Sequence, residues 1–468
     1  MTTQTSKSNV HSTLPPIAYI GIGLSLIGIA SFGWNLIFGP RPVLQSIGDR
    51  TTIGDHYLAP NPENSDTQQG VQAFALKNFT AATAFYEEAL RKNANDPETR
   101  IYLNNSKTLE QSQSSLEIAV SVPMGTNIDV SKEILRGVAQ AQQEINDAGG
   151  IGGKKLLVML ANDDGNTQVA QQLAQTFIEN KNILGVVGHI ASNVTLATAP
   201  TYDQGKLPLI SPVSSAVQLS NKSPYVFRTV PSDYTAARSL ADYMLKHLRR
   251  KKAVVYFNST SDYSKSLKGE FNTAIALQGG QVVTEFDLAN PSFSPRQSLE
   301  QSQRKGAEVI MMASNTDTLD KAIQVMQVNQ KRLPILGGDD VYSPKTLDIG
   351  REQGVGMTVA IPWHSLGAGS ADFTNRASHL WGGAQVNWRT VTAYDAVQSF
   401  MGALKKQSNP TREAVQAALR STDFSAQGAS SAIQFLPSGD RNSSIQLVTV
   451  TQGNRSGFGY DFVPIQSK

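Results

Sequence analysis

Four patterns of hydrophobic and polar positions follow one another along the 468 residues. Residues 17–39 (IAYIGIGLSLIGIASFGWNLIFG) run for 23 positions without a charge. A helix rising 1.5 Å per residue over that length crosses a hydrocarbon core of about 30 Å, so one transmembrane helix is expected. Residues 40–66 are rich in Pro, Gly, Thr, Asn and Asp with no sustained period, which predicts a linker that lets the outer part move freely. Next, Ala73, Phe79, Ala82, Tyr86 and Ala89 recur at helical spacing, and Asp96-Pro97 opens a second helix. From Leu116 onward, short β-branched or apolar runs alternate with amphipathic stretches. The runs include 116–122, 155–161, 183–188, 207–211, 253–257, 282–286, 309–313 and 333–336, and the clearest helical stripes lie in 133–145 and 234–248. Such alternation predicts parallel sheets covered by helices, with more strands than one lobe holds. Two α/β lobes follow, with a ligand site beyond the carboxyl ends of their strands.

The 17–39 run ends in Phe38-Gly39-Pro40-Arg41 rather than in small residues suited to cleavage, so it reads as an uncleaved anchor. Lys7 is the one charged side chain before it, whereas after it Arg41 and Arg50 are outnumbered by Asp49, Asp55, Glu63 and Asp66. That bias puts the N-terminus inside: a single pass through the inner (cytoplasmic) membrane, with the bulk of the chain in the periplasm or outside the cell. A net charge of +3 on 468 residues argues against nucleic acid as a partner. Zero cysteines exclude disulfide scaffolds, thiolate metal sites and a lipid-modified N-terminal Cys.

Residues 70–104 resemble a single tetratricopeptide repeat in their small and aromatic positions, with no second copy in the chain. One repeat cannot bury its own apolar face. It packs on the main module, on a second copy or on a partner protein, or serves as a helical hairpin spacer. Within the α/β region, five motifs recur in order: Asp147-Ala148-Gly149-Gly150-Ile151, Asp163-Asp164, Gly188-His189, Ile210-Ser211-Pro212 and Tyr394-Asp395-Ala396-Val397. Over residues 116–464 the set resembles the type I periplasmic binding proteins for leucine, isoleucine and valine. The resemblance implies an α/β fold of two lobes, parallel sheets flanked by helices, and three hinge crossings, expected near residues 230–233, 362–367 and 426–430. The domains expected are the cytoplasmic tail and anchor (1–39), the linker (40–66), the tetratricopeptide-like hairpin (67–112) and the binding-protein domain (113–468). Lobe 1 would span 116–232 and 365–428, and lobe 2 would span 233–362 and 429–464.

Ser192 sits where a strand hands over to a helix, and a hydroxyl beside free helix N–H groups suits a carboxylate. The resemblance assigns Ser192 to the ligand's α-carboxylate, the Val213 carbonyl to its ammonium, and the Ser215 N–H and hydroxyl to the second binding loop. It also points to Tyr263, whose ring would pack on the ligand, and to Asp339 as the carboxylate for the ammonium. Asn315 stands where amino-acid binders often carry an aromatic, and residues 128–131 lack the aromatic expected in the first loop. Both departures speak against a strictly branched-chain ligand.

The Gly149–Lys155 run lacks the spacing of a phosphate loop, since Ala148 and Lys155 occupy the required Gly and Ser/Thr positions. The six histidines show no metal-ligand spacing, and His189 reads as part of its Gly-His turn. No catalytic residue, metal or cofactor is expected, and the protein is not read as an enzyme. The function expected is a membrane-anchored solute-binding protein that captures an amino acid, amide or similar small polar ligand and hands it to an ATP-binding-cassette permease. The alternative is a ligand sensor or assembly protein using the same module without transport.

Overall fold

A computed structural model of the chain describes residues 1–2, 46–60, 64–111, 114–407 and 409–466. The transmembrane helix expected over 17–39 lies outside these residues; among the described residues, no helix is long and apolar enough to cross a membrane.

Lobe 1 is built on a six-stranded sheet in the order β1-β3-β2-β4-β5-β6. Its strands are β1 (Thr51–Thr52), β2 (Ser115–Val122), β3 (Lys155–Asn162), β4 (Ile183–Val187), β5 (Leu209–Ser211) and β6 (Val226–Arg228). The central β2 is apolar on both faces, with Ile118, Ala119, Val120 and Val122 fully buried, as a parallel strand sandwiched between helices must be. Lobe 2 carries seven strands in the order β15-β14-β11-β10-β9-β7-β8. These are β7 (Lys252–Phe257), β8 (Gln281–Asp287), β9 (Val309–Ala313), β10 (Ile335–Gly337), β11 (Thr358–Ile361), β14 (Gln446–Gln452) and β15 (Tyr460–Pro464). The short pair β12 (Ala426–Gln427) and β13 (Ala432–Ile433) stands apart.

The sequence pattern predicts parallel sheets, but neither large sheet is purely parallel. In lobe 1, β1 pairs antiparallel with β3; in lobe 2, β14 runs antiparallel to β11, and β15 to β14. The third crossing is also displaced. Instead of leaving lobe 1 near 426–430, the chain stays there through Arg441 and crosses just before Gln446. Side-chain interactions hold it: Asp440 pairs with the buried Arg228 at 2.7 Å, Phe435 packs on Phe227 and Phe424, and Arg441 pairs with Asp395.

The segment read as a free linker is part of lobe 1 from Ile47 onward. Thr51 and Thr52 extend the sheet, and the Gly54 carbonyl accepts the Tyr86 hydroxyl at 2.8 Å. The buried Glu98 carboxylate accepts the N–H groups of Leu58 and Ala59 at 2.6 and 3.2 Å, together with the Tyr102 hydroxyl.

Three helices follow: α1 (Ser65–Ala75), α2 (Phe79–Lys92) and α3 (Pro97–Gln111). The apolar stripe read as one helix through residues 73–89 breaks at Lys77, where φ is +59°, and Asn78 caps the second piece by accepting the Ala81 N–H. Helix α3 docks on lobe 1 through buried amides. Asn105 donates to the Val158 carbonyl at 2.7 Å and accepts the Val158 N–H at 3.0 Å, so one side chain stands in for a neighbouring strand. From α4 (Ile128–Asp147), Asn146 makes the same pair of bonds to Leu156. Together with β1, these side chains cover the open edge of β3, which would otherwise offer unpaired peptide groups.

Asn105→Ala is expected to leave two buried peptide groups unmatched and destabilise the chain by roughly 1–3 kcal/mol. Chemical unfolding of the full chain in detergent checks this, with Lys107→Ala on the exposed face of α3 as a control that leaves the midpoint in place.

Candidate ligand-binding site

A cavity of about 350 Å³ lies between the lobes at the carboxyl ends of β2, β3, β4, β5, β7, β9 and β10. Lobe 1 contributes the loops after β2, β3, β4 and β5, and lobe 2 those after β7, β9 and β10.

The lobe 1 wall rests on buried polar contacts. Asp163 accepts hydrogen bonds from the Ser121 hydroxyl at 2.9 Å and the Gly165 N–H at 2.9 Å, and its other contact is His189 Nδ1 at 2.6 Å. The far nitrogen of His189 meets the Tyr202 hydroxyl at 3.1 Å. Burial pushes the Asp163 carboxyl up, but the hydrogen bond to His189, its charge and the donors from Gly165 and Ser121 outweigh this and hold it below the usual carboxylate range. The His189 carbonyl in turn accepts the hydroxyls of Thr195, Ser211 and Ser214, which ties the loop after β4 to the loop after β5. His189 is thus a strut of the wall, and among the described residues no group of three His, Asp or Glu side chains could hold a metal.

On that wall, the helix Ser192–Gln204 opens into the cavity. Its N-cap is Ala191, which offers no side-chain acceptor, so Ser192 is the first helical residue rather than the cap. The Ser192 hydroxyl accepts the Ala216 N–H at 3.3 Å. The N–H groups of Ser192 and Asn193 have no partner among the described residues, as the first amides of a helix must when no side chain caps them. Val213 lines the cavity beside them. Ser215 does not: it is buried behind the wall, in a separate small recess with Asp233, Tyr263, Gly338 and Asp339.

From lobe 2, Tyr263 and Asp339 enter the same cavity. Gly338 lets them meet, because a Cβ there would collide with the Tyr263 hydroxyl and with Leu267. That hydroxyl lies beside the Asp339 carboxylate without closing a full hydrogen bond. Burial, reinforced by the neighbouring Asp340 charge, pushes the Asp339 carboxyl up to about 7. Burial also raises Asp340, while the Arg389 guanidinium opposes it from 3.0 Å. Asn315 lines the cavity, but its side chain is spent on a turn: it accepts from Asn258 and Thr318 and donates to Asp317.

Five of the six candidate residues therefore share one cavity: Ser192, Val213, Tyr263, Asn315 and Asp339. Arg389 was not among the expected residues. It lies in the first turn of the lobe 1 helix Trp388–Leu404, buried, over the Trp388 ring, and its pair with Asp340 spans the lobes. A signal was available, since an arginine at the positive end of a largely apolar helix is unfavourable unless something outside the helix pairs with it. The absent aromatics are absent in three dimensions too: Asn127, Val130, Asn315 and Thr316 fill that part of the wall.

Two hinged α/β lobes closing on a cavity at their strand ends define a solute-receptor architecture. The periplasmic binding protein family matches residues 115–457, and the chain belongs to that family. An amino acid binding protein of Pseudomonas aeruginosa is 26% identical over 187 residues, covering 40% of this chain and 50% of that protein. A Leu/Ile/Val-binding protein homolog of Brucella melitensis is 27% identical over 198 residues, 42% of this chain and 53% of its own; the alignments thus span about half of these two relatives. A further homolog, from Brucella abortus, is 24% identical over 313 residues, 64% of this chain and 81% of its own. Among solved structures, an ABC transporter substrate-binding protein from Desulfitobacterium hafniense in complex with Leu has a TM-score of 0.64 at 23% identity, covering 75% of this chain and all of that one. A solute-binding protein from Rhodopseudomonas palustris in complex with benzoate has a TM-score of 0.63 at 18% identity, covering 75% of this chain and 96% of its own.

Because Asp339 holds its proton up to about 7 in the folded chain, its contribution to stability is complete below the ordinary carboxyl value. It is lost as pH rises through about 7. Asp233, which burial raises to about 6, works in the same direction. Asp339→Asn is therefore expected to shrink the fall in unfolding midpoint between about pH 5 and pH 8, read by urea titration without added ligand. An undiminished fall would show that Asp339 does not titrate in that range.

Proposed function

We propose that the protein is a membrane-anchored, extracytoplasmic receptor that captures an amino acid or a similar small amide or zwitterion between its lobes and hands it to an ABC-type importer. The reading rests on one observation: uncapped helix N–H groups at Ser192 and Asn193 on one lobe share a cavity with the Asp339 carboxylate of the other. A zwitterion matches that arrangement, its carboxylate at the positive helix end and its ammonium at the acid. Because the ligand touches both lobes, binding favours the closed arrangement, and recognition is a change of shape rather than of covalent bonds. The wall formed by Asn127, Val130, Asn315 and Thr316 suits a short or polar side chain better than a large apolar one. The apolar run of residues 17–39, read as a transmembrane helix, would tether the receptor to the membrane.

Calorimetric titration of the full chain in detergent against the L-α-amino acids and their amides tests the reading. One or more should bind. Asp339→Asn and Ser192→Ala should each weaken binding tenfold or more, and the Asp339 variant should lose the gain in affinity expected as the acid ionises near pH 7. No binding by any of these compounds, or unchanged affinity in both variants, would overturn it. Uptake of the bound compound should fall when the receptor is deleted; unchanged uptake would favour the sensor reading.

A further inference from the structure

Arg50 lies outside the stretch that matches the binding-protein family, yet it pairs with Asp164, a residue that lines the ligand cavity. It immediately precedes β1, whose pairing with Leu160 and Ala161 runs along the outer edge of β3 toward the cavity. Its guanidinium donates to the Asn162 carbonyl at 3.2 Å and to Asp164 Oδ2 at 2.7 Å. The other Asp164 oxygen accepts the Gly125 N–H at 3.1 Å, and the Asp164 carbonyl accepts the Thr126 hydroxyl at 3.0 Å. Asp164, Gly165, Thr126 and Asn127 all line the cavity. One carboxylate therefore joins the N-terminal segment, the loop after β3 and the loop after β2.

The geometry of that junction is specific. Asp164 has φ of +51°, a conformation Asp tolerates at some cost, and a Cβ at Gly125 would run into Asp164 Oδ1. Rotation of the carboxylate would break both contacts at once. Behind Arg50, the segment is fastened at Ile53 by Asn105, at Gly54 by Tyr86, and at Leu58 and Ala59 by Glu98. The helices α1–α3 hold the segment, and the segment holds the loop.

We propose that Arg50 is a positioning residue for the ligand cavity, contributed by the segment between the membrane side of the chain and the receptor. It fixes the Asp164 carboxylate against the Gly125 N–H and so sets the position of the two loops that line the cavity. This rests on the reading of the cavity as the ligand site. Coupling of this kind is reciprocal: ligand that orders the loop also tightens the segment.

Hydrogen exchange on the full chain in detergent, without ligand, tests the structural half. In Arg50→Ala the Gly125 amide is expected to exchange at least threefold faster relative to the β3 amides of Val158 and Leu160, with Arg50→Lys in between. Uniform acceleration that leaves this ratio unchanged, or acceleration confined to residues 51–59, overturns the proposal. Arg91→Ala, on an exposed part of α2, is the control that leaves the ratio in place. With L-serine as probe, Arg50→Ala should weaken binding threefold or more and Arg50→Lys should restore part of it; an unchanged dissociation constant overturns the proposal. Failure of the unaltered chain to bind L-serine or any other amino acid counts against the amino-acid reading, and the exchange ratio then decides this one alone.

Discussion

The buried Asp163 carboxylate is the fixed point of the cavity. It is 1% exposed, and it meets partners from the strand beside it, from its own loop and from His189 across the sheet. A charge in that position is tolerable only while every partner is present. The strand ends are thereby fixed relative to one another, and the His189 carbonyl passes the constraint on to Thr195, Ser211 and Ser214. The first turn of the helix at Ser192 is therefore aimed by contacts on the far side of the wall from the ligand. Preorganisation of this kind keeps its donors in place before the ligand arrives.

A second constraint is the edge of β3. In a closed domain that edge would need a strand, a bulge or charged side chains to keep it from pairing with other chains. Here Asn146 covers Leu156, Asn105 covers Val158, and Thr51–Thr52 cover Leu160 and Ala161, so the cover comes largely from residues N-terminal to the matched family domain. The N-terminal segment and α1–α3 are for this reason structural parts of lobe 1. Cutting the chain before β2 would remove Asn105 and Arg50 together.

The α/β alternation was legible because buried parallel strands are written as unbroken apolar runs: residues 309–313 were expected and are observed as β9. Strands β1, β14 and β15 carry weaker signals, since edge and antiparallel strands alternate with polar positions or consist of two residues. The third crossing was misplaced because Arg228–Asp440 and Arg441–Asp395, which hold residues 429–441 on lobe 1, join positions far apart in the chain. Periodicity carries no trace of such pairs. Of the site, Ser192, Val213, Tyr263 and Asp339 were pointed to by the family resemblance, Ser192 also by its place where a strand hands over to a helix, and with Asn315 they line one cavity. Ser215, pointed to by the same resemblance, does not, because whether a residue on a tight loop faces the cavity or its back depends on the packing of Asp233 behind it. Arg389 escaped notice because its partner lies on the other lobe.

The Arg389–Asp340 pair, with the Val217 N–H donating to the Ser266 hydroxyl at 3.0 Å, joins the lobes without any help from a ligand. Closure therefore has an intrinsic equilibrium of its own, and the share of molecules already shut sets how much of a ligand's binding energy goes into moving the lobes. These contacts therefore set the share of shut molecules in the absence of ligand. Loosening them would trade affinity for a cleaner distinction between loaded and unloaded molecules.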